Sequence, residues 1–240
     1  HCYIGNSVKI GDKTKIFANV CIYGKTEIGS NSIVLSNTTI GSEGFSFSFT
    51  GDAFFHFPSL GSIVIGKNVW IGSNCTVEKS QIDQTIIEDH VKIDDLVHIS
   101  HNVTIKKFSQ ITVGSIICGR ARIGEGCWIA PNSVIDNGYE IGDNCFILEN
   151  QTIQPTVEIG NNVMIWSGNH LGHGCKIKNH TYLSSHICIS GYTEIGERCF
   201  IGVNSALKDY IQIGDEVFIT MGANVTSDVE NRAVILGSQS

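Results

Sequence analysis

Proline is nearly missing from this chain, with three in 240 residues, while Ile, Val and Gly abound, a balance that points to strands and tight turns. Basic charge is short as well: 16 Lys and Arg against 23 Asp and Glu give a formal charge of −7. A nucleic-acid or anionic-membrane surface needs clustered Lys and Arg, so neither partner is expected. Long apolar runs are missing too. None approaches the roughly 20 residues of a membrane span, and the start carries no signal-peptide pattern. The first residue is His1 rather than Met, so something upstream is expected to have been removed or left out. What the chain does have, at 42% hydrophobic, is enough apolar matter for one large or two small globular domains.

The apolar residues follow a strict period. Every sixth residue from Ile4 is aliphatic: Ile10, Ile16, Ile22, Ile28, Val34 and Ile40 follow without a miss. The register resumes at Ile65, Ile71 and Val77, slips once, and then runs in steps of six from Ile87 to Val225. Two residues before the aliphatic stands a small or β-branched residue, as at Ser133, Thr181, Thr193, Ser205 and Ala223. Residues two apart on a strand share a face, so both point inward. Each six-residue unit is then a short strand plus a bend, and three units close a triangular coil. No single coil can bury its own ends, so stability comes from stacking. The period predicts an all-β parallel β-helix of about eleven coils, ~50 Å tall at ~4.8 Å per strand. Gly often follows the aliphatic, as at Gly72, Gly124 and Gly142, and is read as a turn needing unusual backbone angles.

Six of the nine cysteines occupy the small inward slot: Cys2, Cys75, Cys127, Cys145, Cys175 and Cys199. They read as compact core fillers rather than a disulfide ladder, and a reducing, cytoplasmic setting is expected. Cys21, Cys118 and Cys188 lie off that slot.

The repeat breaks twice. Residues 42–62 hold six of the eleven Phe, and the alternation around Phe45, Phe47 and Phe49, then Thr50-Gly51-Asp52, predicts a hairpin leaving the solenoid. A loop this apolar needs cover, either the helix wall or a neighbouring subunit, or else it is itself a surface for an acyl chain or a nucleotide base. The smaller break, Glu78 to Gln84, adds four residues and is expected only to adjust a corner.

No serine-nucleophile elbow, P-loop or dinucleotide fingerprint is present. A duplicated histidine pair stands out instead: His98 with His101, and His170 with His173, 72 residues or four coils apart. The spacing puts both pairs on one face, ~19 Å apart along the axis, in outward slots. Such histidines are either solvated or intersubunit contacts, or they meet a substrate. A neutral imidazole suits removal of a proton from an attacking amine or hydroxyl. Asp94, seven residues before His101, could orient its ring; seven before His173 stands Trp166. Metal chemistry is the competing reading, but His-x-x-His on a strand does not converge two ligands. The histidines spaced five apart of the γ-class carbonic anhydrases have no match either, so no metal is expected.

Several stretches carry a family resemblance. Gly41-Ser-Glu-Gly-Phe-Ser-Phe, Phe57-Pro-Ser-Leu-Gly, Thr85-Ile-Ile-Glu-Asp-His-Val-Lys-Ile-Asp-Asp and His98-Ile-Ser-His-Asn-Val-Thr-Ile resemble UDP-3-O-acylglucosamine N-acyltransferase. Asn144-Cys-Phe-Ile-Leu-Glu-Asn, Thr152-Ile-Gln-Pro and Trp166-Ser-Gly-Asn-His-Leu-Gly-His look more like small sugar O- or N-acetyltransferases. The whole repeat resembles the hexapeptide acyltransferases, whose coils wind left-handed. The resemblance implies two stretches, 1–137 with the loop 42–62 and 138–240, whether a natural hybrid or a fusion. It further implies a homotrimer, no tightly bound cofactor, and acetyl-CoA or an acyl-carrier-protein thioester as donor to a nucleotide-linked sugar. His101 and Asp94 match the first family's base and its acidic partner, and His173 matches the second family's histidine. His98, His170, Phe45, Phe47, Asn102 and Trp166 are the candidate substrate contacts. A scaffold without complete substrate sites is the alternative, and a metal-dependent hydratase a further one.

Overall fold

A computed structural model describes residues 1–237. In the period-six stretches, each repeat unit contributes a strand of two to four residues. The aliphatic residue of each turns inward, and nearly all of these residues are buried. Strands 18 residues apart pair in parallel, as Trp128↔Phe146 and Ile129↔Ile147 do. The result is three parallel sheets of 12, 11 and 12 strands, the faces of a triangular solenoid. That is slightly taller than the expected stack. The first face runs from Tyr3–Ile4 to Asn224–Val225, the second from Lys9–Ile10 to Gln212–Ile213, and the third from Lys15–Ile16 to Val234–Ile235. The sheets pass residue 137 without interruption. Of the second expected stretch, 138–240, the last three residues lie outside the described ones.

The glycines after the aliphatics are explained differently from the sequence reading. The left-handed residue is the third after the aliphatic, not the first: Asn74 (φ 56°), Asn102 (φ 61°) and Asn144 (φ 56°) are examples. Asn suits that conformation better than other side chains. Gly72, Gly124 and Gly142 are instead demanded by close approach. A Cβ on Gly72 would meet the backbone of Asp94, one coil above, at 2.5 Å. Between coils, side-chain oxygens cap N–H groups that the strand ladder leaves free: Asp95 accepts from Ser73 (2.6 Å), Asp143 from Glu125 and Asn179 from Asn161 (both 2.8 Å).

Five of the six inward cysteines are buried. Sγ of Cys75, Cys127 and Cys145 each donates to a carbonyl of the next coil at 3.0 Å, and burial pushes the Cys75 thiol up to about 11 and Cys175 to about 12. Cys2 is exposed, yet it keeps the slot, its Sγ donating to the Phe17 carbonyl at 2.9 Å as the buried thiols do to theirs. At 139 the same slot holds a fully buried Tyr, over Ala121 in the coil below; its hydroxyl has no partner.

Both interruptions fall at one corner, between the first and second faces, on adjacent coils. The Phe-rich segment is the expected hairpin: Phe47–Phe49 pairs antiparallel with Phe54–His56. The shorter break does more than adjust a corner, because it props the hairpin's base. Leu60, Gly61 and Ser62 N–H donate to the carbonyls of Gln81, Ser80 and Asp83, and Gln81 donates to Ser46 (2.9 Å). Glu43 pairs with Lys79 (2.6 Å) and accepts from the Ser59 N–H (2.6 Å). The phenylalanines themselves find no cover among the described residues, Phe45 being 91% exposed.

Candidate functional site

His98 and His170 stand on outward positions of the first face, on strands His98–Ile99 and His170–Leu171, four pairings apart. His101 and His173 follow at the next corner, between the first and second faces. His101 therefore lies directly above the two loop excursions. Asn102 apart, the neighbours of His101 at this corner arrive from other coils.

The two corner histidines are held alike. His101 Nδ1 lies 3.1 Å from Asn102 Oδ1, and that oxygen also accepts the Gln81 N–H at 3.2 Å. His173 Nδ1 lies 3.2 Å from Gln154 Oε1, which also accepts the His173 N–H at 3.1 Å. A group that accepts from a backbone N–H is the amide oxygen, so each Nδ1 must be the donor. A neutral ring then carries its proton on Nδ1 and its lone pair on Nε2.

One coil above each histidine is a glycine that leaves space for the ring. A Cβ on Gly119 would meet His101 Cε1 at 2.7 Å and Nε2 at 2.8 Å; on Gly191 it would meet His173 Cε1 at 2.8 Å and Nε2 at 2.9 Å. The N–H groups of Gly119 and Gly191 donate to no acceptor among the described residues, as is true of Val113, Ser167 and Val203 at the same place in their units, whereas those of Ser73, Glu125 and Asn161 are capped from the coil above. Each corner thus presents an Nε2 lone pair beside an uncommitted N–H.

The surroundings differ. Below His101 lies Glu78, 8% exposed; its carboxylate accepts from Ser100 Oγ at 2.7 Å and stands 3.7 Å from His98 Nε2. Gly44, from the hairpin's base, closes over both: a Cβ there would meet Glu78 Oε2 at 3.2 Å and His101 Cδ2 at 3.6 Å. His56 Nε2 donates to the Gly44 carbonyl (3.2 Å) and fixes this strap. His173 is exposed, with Tyr192 against it.

Asp94 and Trp166 are not brought to the histidines within the chain. Both follow third-face strands, at the corner between the third and first faces. The Asp94 carboxylate accepts from the Asp95 N–H. The orienting contact on His101 comes from Asn102, expected instead to touch substrate. Phe45 and Phe47 pack on each other, centroids 5.0 Å apart, on the exposed hairpin. Glu78, Gln154, Gly119 and Gly191 escaped the sequence reading; a search for Gly one coil, or 18 residues, after each corner His would have found the last two. A groove of about 610 Å³ lies elsewhere, on the second face among paired charges such as Arg122 with Glu140 and Lys176 with Glu158. Paired charges that screen one another make a solvated wall rather than a reaction site. No group of three or more His, Cys, Asp and Glu among the described residues could hold a metal ion, and none of their helices is long and apolar enough to cross a membrane.

Comparison with known families agrees with this repeat. The bacterial transferase hexapeptide (six repeats) model matches residues 1–42 and 120–150, and the hexapeptide repeat of succinyl-transferase matches 62–94 and 192–227. The chain is a hexapeptide-repeat β-solenoid, and it resembles the hexapeptide acyltransferases. It is 46% identical over 77 residues to UDP-3-O-acylglucosamine N-acyltransferase of Saccharophagus degradans, covering 32% of this chain and 21% of that protein. With the same enzyme of Hahella chejuensis it shares 35% over 117 residues, 49% of this chain and 34% of that one. The chain therefore spans about a fifth to a third of the length of these curated relatives. Among solved structures it is similar to the acetyltransferase domain of PglB from Neisseria gonorrhoeae in complex with acetyl coenzyme A, 14% identical over 94% of this chain and 97% of that one, with a TM-score of 0.32.

Proposed function

We propose that the chain is an acyltransferase moving an acetyl or 3-hydroxyacyl group from a coenzyme A or acyl-carrier-protein thioester to an amino or hydroxyl group of a sugar, nucleotide-linked in its natural form. The observation that carries this is the corner unit: an imidazole whose Nδ1 is engaged, whose Nε2 lone pair is free, and which sits beneath an uncommitted glycine N–H. His101 is the general base. As the acceptor nitrogen or oxygen attacks the thioester carbonyl carbon, Nε2 takes its proton. The Gly119 N–H donates to the tetrahedral oxyanion. Collapse breaks the carbon–sulfur bond, and the imidazolium returns the proton to the departing thiolate. Nothing beyond positioning, a base and an oxyanion donor is needed, because a thioester is already activated.

Glu78, held by Ser100 and close to His98, orients the floor of this centre, and the hairpin covers it. The exposed phenylalanines and the outward aromatic column Tyr182, Phe200 and Phe218 on the third face, stacked at 5.3 and 4.8 Å, support assembly into a homotrimer that would cover them. Asp94 then belongs to the substrate side of the corner at which it stands. Unpaired thiols throughout the core support a reducing compartment such as the cytoplasm.

The test is thiol release from acetyl-CoA and from a 3-hydroxyacyl carrier protein with a panel of UDP- and dTDP-amino sugars. His101→Ala is expected to lower turnover on the order of 10²–10⁴-fold while the protein stays folded. A folded wild type with no turnover on any pair would return the chain to the scaffold reading.

A further inference from the structure

The corner at His173 is furnished with rings that the corner at His101 lacks. Tyr192 meets the His173 imidazole edge-to-face, centroids 4.9 Å apart at 89°. Tyr210, one coil higher, stacks on Tyr192 at 5.0 Å and 21°. Both tyrosines occupy the left-handed turn position, φ 56° and 59°, where a bulky side chain is uncommon and Asn is the ordinary solution. Gly174 makes room for the first ring, since a Cβ there would meet it at 2.6 Å. The rings remain in solvent, Tyr192 52% and Tyr210 70% exposed. Above them the next coil crosses the corner from Val225 to Val229, two residues short of the repeat, as the pairing of Ile213 with Val229 records. At His101 the equivalent positions hold Arg120 and Gly138.

We propose that Tyr192 and Tyr210 form a stacking subsite for the nucleobase of a substrate served by His173, a second centre distinct from that of His101. The proposal rests on the reading of a corner histidine as general base. From the imidazole, the rings climb the solenoid axis by about two coil spacings, ~10 Å. A sugar nucleotide with its reacting group at His173 Nε2 spans that distance through its diphosphate, and coenzyme A spans it through its pantetheine arm. The recognising chemistry is the same in both cases, a flat base against a tyrosine face. A comparable stack at another corner supplies a control: His90 and Phe108, 5.0 Å apart at 20°, also sit on left-handed turn residues but beside no corner histidine of this kind.

The experiment is calorimetric titration of the whole chain with UDP-glucosamine and, separately, with coenzyme A. Tyr210→Ala and Tyr192→Ala are each expected to weaken one of these ligands on the order of tenfold or more. Tyr210→Phe keeps the ring face and holds affinity, and Phe108→Ala leaves it unchanged. The ligand that responds identifies the base: uracil on the acceptor or adenine on the donor. Equal affinities for both ligands in wild type and Tyr210→Ala overturn the proposal, as does an equal loss in Phe108→Ala. Because the readout is binding, it separates from the catalytic reading. Unchanged binding alongside lost turnover in His101→Ala sinks only the subsite, and weakened binding without any turnover sinks only the reaction.

Discussion

The two corner histidines are the same device set in different company. Each has its Nδ1 on an amide oxygen and a glycine one coil above its ring. Around His101 the chain spends two insertions, a buried carboxylate and a strap at Gly44 to enclose the ring. Around His173 it adds no insertion; the enclosure is replaced by an open column of tyrosines. The solenoid thus keeps the imidazole and its geometry as part of the repeat, while the neighbours change with whatever each coil carries outward. On the proposed reading, chemistry is a property of the corner, and selectivity a property of what surrounds it.

The comparison breaks most sharply at the bases. In thiol-release assays His101→Ala should abolish the reaction of the enclosed centre, a fall on the order of 10²–10⁴-fold, and leave any reaction of the open centre untouched. Loss of all activity in both single variants would mean that the centres are not independent. Next in size are the glycines. Gly119→Ala sets a methyl against the His101 ring, and displacing a base by about 1 Å costs on the order of 10²-fold in rate. Gly191→Ala should do the same at His173 alone. Circular dichroism of each variant should match wild type, and activity equal to wild type would show that the ring tolerates the intrusion.

Acid distinguishes the two corners less drastically. Burial pushes the Glu43 carboxyl up, but the Lys79 ammonium and the Ser59 N–H outweigh it and hold the group below its ordinary value of 4.5. A depressed carboxyl contributes stability that is whole above the ordinary value and is lost as pH falls through the depressed one. Amide exchange at Ser59, corrected for intrinsic rate, should therefore accelerate as pH falls below the ordinary carboxyl value of 4.5. Exchange at Tyr192, whose N–H donates to the His173 carbonyl, should not follow it. Parallel acceleration at both would place the acid response in the solenoid rather than the hairpin. The smallest effect lies between the two centres. Tyr139→Phe removes a buried hydroxyl without a partner and should raise stability by about 1 kcal/mol, read from the denaturation midpoint. A lower midpoint would mean that the hydroxyl is satisfied in solution.

Much of this architecture is legible in the residues. The march of Ile, Leu and Val from Ile87 to Val225 permits no other reading, because a period of six with a small residue two places earlier suits only stacked triangular coils. The hairpin at Phe47–Phe49 and Phe54–His56 follows from its alternation, and the equivalence of His101 and His173 from their spacing. The glycines were visible but misread. Their role depends on the distance to the next coil's backbone, which no local rule for backbone angles contains.

By itself, then, the sequence determined the repeat, the inward and outward slots, the coil axis on which the histidines recur, and the points at which the chain leaves that axis. These are local matters, set by six-residue periodicity and the alternation of a strand. The structure alone decided which nitrogen of each imidazole is free, which glycine N–H is left uncommitted, and that Glu78 rather than Asp94 lies beneath His101 in the chain. Those facts join residues 18 to 23 positions apart through the ~4.8 Å spacing between coils. Side chains on neighbouring coils touch although the chain between them has travelled once around the triangle.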